Sequence, residues 1–337
     1  MTISEIPRVG RGKNPNGNSR VKPKIILWLA GLVIASTQAF AQIPVDGTHY
    51  PAGLEGLQCG AAHTPGFYFR DDNLFYYGTA AVLPHYTTYA YLQAIRLEWV
   101  SDRKLCGASY GASVLVPLIY KESSYTETAL DGIGQKITFH YGSHQFGPGD
   151  ILVEPLGLQW QWSRFDLRAG VGVWLPTGEY HKSEELANLG DGMWSPMVTL
   201  GGTWYLDKEK TWTISGLNHL ELNCQTPGST TSVSGSGQNI TRYANVPCTA
   251  DTFEWGIGKT FQHGLQAGLA GYYQKQFTQS SSAAVLFNNS EVAGIGPEIS
   301  GRIERWKVTL TLRDLCEFTA VNRPQGNTLT FSVAKKF

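Results

Sequence analysis

Residues 165–175 read FDLRAGVGVWL, and apolar side chains alternate there with polar or glycine positions. The odd positions are apolar, and the even positions from 166 to 172 hold Asp, Arg, Gly and Gly. Successive side chains of a strand point to opposite faces, so the stretch predicts a strand with one apolar and one polar face. Residues 252–261 (TFEWGIGKTF) and 306–313 (WKVTLTLR) repeat the pattern.

About twelve such stretches follow one another along the chain, and helical patterns are almost missing after residue 60. We place the strands near residues 66–77, 89–100, 110–120, 151–162, 165–175, 194–205, 212–222, 252–262, 265–274, 291–303, 306–316 and 328–337. The links between them alternate between short and long. This arrangement predicts an all-β fold, an antiparallel up-and-down transmembrane β-barrel of about 12 strands with short periplasmic turns and long external loops.

The composition excludes several other classes of protein. Lys plus Arg and Asp plus Glu both count 27, so the chain lacks the basic excess of a nucleic-acid binder and the high net charge typical of disorder. A single long apolar stretch, residues 25–37 (IILWLAGLVIAST), argues against a helical membrane protein with many spans.

That stretch instead predicts an export signal. Arg20, Lys22 and Lys24 precede it, and Ala39-Phe40-Ala41 supplies a small-x-small exit. We therefore expect residues 1–41 to be a signal peptide, 42–65 a periplasmic N-terminal segment and 66–337 the barrel in the cell outer membrane, in contact with its lipid.

Aromatic residues and the last strand support this location. Six of the nine tryptophans after residue 41 fall near short turns, as in an interfacial aromatic girdle. Phe337 ends an alternating strand, and such an ending resembles the signal that outer-membrane barrels present to the barrel-assembly machinery.

Charged side chains on the polar faces are expected to line the lumen, because a lipid-facing Lys or Arg costs about 2–4 kcal/mol at the midplane. The parity of the strands selects Arg96, Glu98, Asp166, Arg168, His219, Glu221, Glu254, Glu298, Arg302, Lys307 and Arg313. These charges are compatible with an open channel and equally with a plug of salt bridges.

A search for catalytic groups favours a protein that is not an enzyme. Ser215 and His219 share one strand, but residues i and i+4 of a strand lie about 13 Å apart, too far for nucleophilic catalysis. No zinc-type ligand set occurs, so we expect no metal or cofactor, and the balanced charge predicts no nucleic-acid partner.

Five cysteines follow the export signal, and an oxidising compartment permits disulfides. Cys224 and Cys248 lie in one long external link and are expected to pair. Cys59 and Cys106 both fall on the periplasmic side and are candidates for a second bridge. Cys316 is then left unpaired or exchanges into the external pair. Five reduced thiols are the alternative.

Seven blocks of sequence resemble one known family. They are HYPAGLEG (49–56), TPGFYF (64–69), FGPGD (146–150), LPTGEY (175–180), NLGDGMW (188–194), AGIGPE (293–298) and NRPQGN (322–327). In this order they resemble the MetA-pathway phenol-degradation family of outer-membrane barrels over residues 48–337. The resemblance implies a transporter-like barrel that passes small molecules, including hydrophobic or aromatic compounds.

Three functions from different classes remain open at this point. The leading one is an outer-membrane channel or transporter for small solutes. An outer-membrane enzyme would need a clustered Ser/His/acid constellation, and a structural or adhesive barrel would act through external links such as residues 223–251.

Overall fold

The structure is a computed structural model, and it describes residues 48–80, 85–130, 135–180, 187–222, 230–235, 238–243, 248–278, 290–321 and 323–337. The predicted signal peptide, residues 1–41, lies outside this range. None of the described residues belongs to a helix long and apolar enough to cross a membrane.

Fifteen strands and one 3₁₀ turn, Gln262–Gly264, make up the described secondary structure. In chain order the strands are β1 Gly66–Ala80, β2 Tyr86–Leu105, β3 Ala108–Leu130, β4 Lys136–Pro148, β5 Ile151–Gln161, β6 Phe165–Leu175, β7 Ser195–Tyr205, β8 Trp212–Leu222, β9 Thr230–Gly235, β10 Gln238–Tyr243, β11 Cys248–Thr260, β12 Gln266–Thr278, β13 Glu291–Ile303, β14 Val308–Val321 and β15 Gln325–Lys336.

Twelve of these strands close into an antiparallel barrel, which confirms the predicted fold. Consecutive barrel strands are neighbours, β3 pairs with β5 and β8 with β11, and β1 pairs with β15 to close the ring. All twelve predicted strands are present. Closure leaves no free edge in the ring, so the backbone polar groups of the barrel strands are paired within it.

Three strands that the sequence analysis assigned to long links, β4, β9 and β10, lie outside the ring. The second half of β3, Leu118–Leu130, pairs with β4 instead of β5, and its residues up to Ser124 stay paired with β2. Strands β9 and β10 form a separate two-stranded sheet. The alternation of Ile137, Phe139 and Tyr141 with Thr138 and His140 was a strand signal that the assignment of a loop missed.

The barrel is apolar outside and polar inside, the reverse of a soluble protein. In β7, Val198, Leu200 and Trp204 are 44%, 56% and 54% exposed, whereas Thr199 and Thr203 between them are buried. Exposing apolar surface to water costs about 25 cal/mol per Å². Hence the outer face is suited to lipid, as the alternation along the sequence predicted.

The two ends of the barrel differ, and we call them the short-turn end and the long-loop end. Exposed aromatic side chains gather near the short turns, among them Trp162, Trp204, Trp212, Phe261 and Trp306. Tyr205, the neighbour of Trp204, is buried and does not belong to this group. It points inward and its hydroxyl donates to Asp166 over 2.7 Å.

The described part of the N-terminal segment, residues 48–65, lies inside the barrel, and we call it the luminal segment. Tyr50, Leu54 and Leu57 are buried in two apolar clusters that also contain inward side chains of the barrel strands. The expectation of a periplasmic segment over 42–65 is therefore corrected for these residues. Burying their apolar side chains against the inner wall favours the lumen over water.

Candidate functional site

The luminal segment runs along the interior from the long-loop end to the short-turn end. At the first end, His49 lies between Glu221 and Asp150, with nitrogen–oxygen distances of 2.5 and 3.1 Å. At the other end, the backbone N–H of Ala62 donates to Asp166, and His63 contacts Glu98 over 2.7 Å. The site is therefore the lumen together with the segment that occupies it.

Glu254 of β11 holds the middle of the luminal segment. Its carboxylate accepts hydrogen bonds from three consecutive backbone N–H groups, those of Gly53, Leu54 and Glu55, over 2.8, 2.9 and 2.7 Å. Hydrogen bonds to a charged group contribute about 1.5–3 kcal/mol each, more than neutral ones. Because Glu254 is buried, this arrangement anchors the segment at the barrel wall.

Arginines on β1, β2 and β14 complete the anchorage. The Glu55 carboxylate pairs with Arg70 over 2.7 Å and with Arg96 over 2.5 Å. Arg313 donates to Glu298 and to the backbone carbonyl of Leu54, both over 2.8 Å. Buried charges are costly without partners, so these pairs keep the segment in one position.

Glycines on the inner face of β11 bring the luminal segment close to the wall. A Cβ added at Gly256 would lie 2.5 Å from the Cα of Leu57. This explains why the polar face of residues 252–261 holds glycine at two positions. Leu57 fills the space they leave, with its backbone at Gly256 and its side chain at Gly258.

The structure places most of the predicted lumen residues on the inside. Those that are buried there are Arg96, Glu98, Asp166, His219, Glu221, Glu254, Glu298 and Arg313. Arg168 is partly buried and lines two interior cavities.

The two remaining predicted residues lie at the short-turn end. Arg302 keeps the inward parity, but its side chain is 45% exposed at the rim and pairs with Glu304 over 3.0 Å. The prediction for Lys307 is wrong. This residue lies in the turn before β14 in the left-handed region, with φ of 52°, and it is exposed because the strand parity does not extend into the turn.

Sequence reasoning missed His49, Glu55, Arg70 and Asp150 as luminal residues. The first two belong to the block HYPAGLEG, which was noted only for its resemblance to the family. Arg70 lies in a strand whose sequence, GFYFRDDNLFYYGTA, lacks a clean alternation. Asp150 is the last residue of the FGPGD block, and it accepts from the backbone N–H groups of Gly178 and Asp191.

The two candidate catalytic side chains do not pair with each other. Ser215 pairs with Thr203 over 2.6 Å, and His219 with Thr199 over 3.0 Å. The His219 ring also stacks on Tyr50 with centroids 4.0 Å apart. No group of three or more His, Cys, Asp or Glu in the described part of the chain is placed to hold a metal ion.

The predicted bridge between Cys59 and Cys106 is wrong, because both thiols are free. Cys59 is buried in the luminal segment and donates to the backbone oxygen of Glu254, whereas Cys106 is exposed in a turn at the barrel end. Cys316, expected unpaired, is free and exposed. Cys224 and the side chain of Cys248 fall outside the described residues, so their bridge stays a prediction.

The interior of the barrel contains cavities among the described residues, and two of them adjoin Arg168. The larger, about 210 Å³, lies toward the short-turn end, where Glu55, Gln58 and His63 of the luminal segment line it together with barrel side chains. The smaller, about 30 Å³, is lined by β2, β3, β5, β6 and β7. The lumen is therefore narrowed by the luminal segment and still contains space of molecular size.

Comparison with solved structures shows the same fold. An outer membrane channel from Pseudomonas putida F1 superposes with a TM-score of 0.63 at 13% identity, covering 86% of this chain and all of that one. The beta domain of the Bordetella autotransporter BrkA gives a TM-score of 0.51 at 11% identity, covering 81% of this chain and all of that one. These similarities support a closed barrel of the outer-membrane type.

A family model described as "Putative MetA-pathway of phenol degradation" matches residues 71–333. No curated protein matches the sequence significantly. The matched region covers most of the chain and nearly the whole barrel, and it agrees with the sequence blocks that resembled this family. The chain therefore belongs to the MetA-pathway phenol-degradation family.

Proposed function

We propose that this protein is an outer-membrane channel for small solutes, including hydrophobic or aromatic compounds, whose lumen is narrowed by its own N-terminal segment. One observation carries the proposal: a closed barrel with a lipid-compatible outer face encloses a polar interior with a cavity of about 210 Å³. The family and the similarity to a channel from Pseudomonas putida F1 support it.

The orientation in the membrane is part of this proposal. Short turns face the periplasm in outer-membrane barrels, which puts residues 206–211 and 304–307 there and the β3–β4 hairpin outside. A signal peptide over residues 1–41 would direct export. The exposed Phe337 at the end of β15 is the element we assign to recognition by the barrel-assembly machinery.

Most luminal charges are paired. Together with the luminal segment, these paired side chains fill the lumen, so solutes pass less easily than through an empty barrel. Roughly eight strands are filled by side chains, while about sixteen leave an aqueous channel. At twelve strands with a filled lumen, we expect low conductance. The contacts that hold the luminal segment are non-covalent, so its position can respond to a solute.

Single-channel recording in planar bilayers tests the function. We expect small, discrete conductance steps and transient current blockades that become more frequent as phenol is added, because phenol enters the lumen. Heat-modifiable gel mobility provides the control that the inserted protein is a folded barrel. A folded barrel without conductance steps would contradict the proposal.

A further inference from the structure

The larger cavity is lined by more arginines than glutamates. It contains the side chains of Arg70, Arg96, Arg168 and Arg313 against those of Glu55, Glu98 and Glu298. Grouping several like charges in a partly buried cavity is unfavourable unless each has a counter-charge. The pairing of these side chains therefore decides what the cavity can bind.

Each glutamate in the cavity is already engaged. Glu55 is shared by Arg70 and Arg96, and Glu298 pairs with Arg313. Glu98 contacts His63 over 2.7 Å and accepts from Gln159 over 2.8 Å. Arg168 makes no hydrogen bond or ion pair with any residue in the described ranges, so its guanidinium has free donors facing the cavity.

Two further donors are unused at the same cavity. The Nε atoms of Arg96 and Arg313 are buried and lack a hydrogen-bond partner among the described residues. A buried donor without a partner is unfavourable, so the wall of this cavity has an excess of donors over acceptors. Guanidinium groups bind carboxylates especially well, because their planar N–H groups match the two oxygens.

One wall of the cavity is aromatic. The rings of His63 and Tyr68 stack with centroids 4.6 Å apart and planes 21° from parallel, and both residues line the cavity. Pockets for drug-sized ligands measure about 300–1,000 Å³, so a cavity of about 210 Å³ suits a smaller molecule with a single ring. A cavity lined by both an aromatic face and a free guanidinium favours a ligand that has a ring and an acid group.

We propose that this cavity binds a small aromatic carboxylate, with the Arg168 guanidinium as the partner of its carboxylate group. The proposal rests on the proposed channel function, since the ligand would reach the site through the lumen, and it identifies the class of solute. Glu55, Glu98 and Glu298 make their direct hydrogen bonds and ion pairs with other partners, which leaves the donors of Arg168 available.

Calorimetric titration of benzoate into the purified, detergent-solubilised barrel tests the proposal. We expect saturable binding to the wild type, and binding roughly tenfold to a hundredfold weaker in Arg168→Gln, the loss expected for a charge-assisted hydrogen bond. Arg168→Lys keeps the charge and should retain part of the affinity. Arg164→Gln, an exposed residue four positions away in a turn, is the matched control and should bind like the wild type.

Titrations with phenol and acetate test the ring and the carboxylate of the ligand one at a time. We expect both to bind more weakly than benzoate, because phenol lacks the carboxylate and acetate lacks the ring. Equal benzoate affinity in the wild type and Arg168→Gln, or phenol binding as strong as benzoate, would overturn the proposal. Gel mobility verifies that every variant is folded.

The conductance and binding experiments distinguish a failure of the proposed channel function from a failure of the proposed carboxylate site. Conductance steps with phenol blockades but no benzoate binding would overturn the carboxylate site and leave the channel function intact. Arg168-dependent benzoate binding in a barrel that never conducts would contradict the channel and retain the site.

Discussion

At the scale of single residues, carboxylates on the inner wall determine the path of the luminal segment. Glu254 satisfies three successive backbone N–H groups, and Asp166 satisfies a fourth, that of Ala62. Backbone groups removed from water need such partners, because the luminal segment forms no strand that would supply them. A barrel wall that presents acceptors at these positions is therefore specific for this segment.

Replacing Glu254 with Gln should loosen the luminal segment. An amide leaves one oxygen where two oxygens accepted three N–H groups, so we expect a loss of about 1.5–3 kcal/mol in docking. The measured results should be a higher mean conductance and faster protease cleavage within residues 48–65. Glu291→Gln removes a half-exposed partner of Lys275 and should change neither. Unchanged conductance in Glu254→Gln would contradict the anchoring role.

At the scale of elements, the turn between β7 and β8 is organised by one side chain. Asp207 accepts from the Thr211 hydroxyl over 2.6 Å and from the backbone N–H groups of Thr211 and Trp212, each over 2.9 Å. Lys210 adopts the left-handed region, with φ of 56°. The Asp207 carboxylate thus supplies acceptors for backbone N–H groups of the turn that have no partner in a neighbouring strand.

This turn should weaken in acid. The hydrogen bond from the Thr211 hydroxyl, followed by that from the Trp212 N–H, lowers the pKa of Asp207 from its ordinary 3.8 to about 2. A lowered pKa stabilises the folded turn above 3.8, and the contribution disappears as the pH falls through about 2. Hydrogen-exchange protection of Thr211 and Trp212 should fall in that window. In Asp207→Asn the protection should be lower throughout and independent of pH there. Constant protection in the wild type would refute the assignment.

At the scale of the whole molecule, the barrel combines an apolar exterior with two chemically different ends. Exposed tryptophans gather at the short-turn end, where an amphipathic ring is most stable at a membrane interface. The long-loop end extends beyond the ring through the β3–β4 hairpin. This asymmetry gives the barrel a direction in the membrane.

Chemical labelling of the native Cys106 tests the orientation of the barrel in the membrane. Cys106 is exposed between β2 and β3 at the short-turn end, so we expect a membrane-impermeant maleimide to miss it in intact cells and to label it after the outer membrane is permeabilised. Peptide mapping identifies the labelled thiol, and Cys106→Ser shows the background. Buried Cys59 should react only after unfolding. Labelling of Cys106 in intact cells would invert the orientation.

Much of the barrel is predictable from the sequence because the pattern that specifies each strand lies within that strand. Alternation with a period of two is set within each stretch of about ten residues, so it identified the twelve barrel strands and the inward direction of Glu254, Glu298 and Arg313. It failed for Lys307, where a turn ends the alternation, and for Arg70, whose strand is polar or aromatic at most positions.

The occupant of the lumen and the free guanidinium of Arg168 came only from the tertiary structure. The luminal segment has no periodic pattern, and its partners are distant in sequence: Leu54 and Arg313 are separated by 259 positions, Gly53 and Glu254 by 201. Parity indicates that a charge faces inward, but not which counter-charge reaches it. By itself, then, the sequence determined a membrane barrel with a polar interior. Closure of the ring decided which charges meet, because only closure brings the opposite walls within reach of one segment.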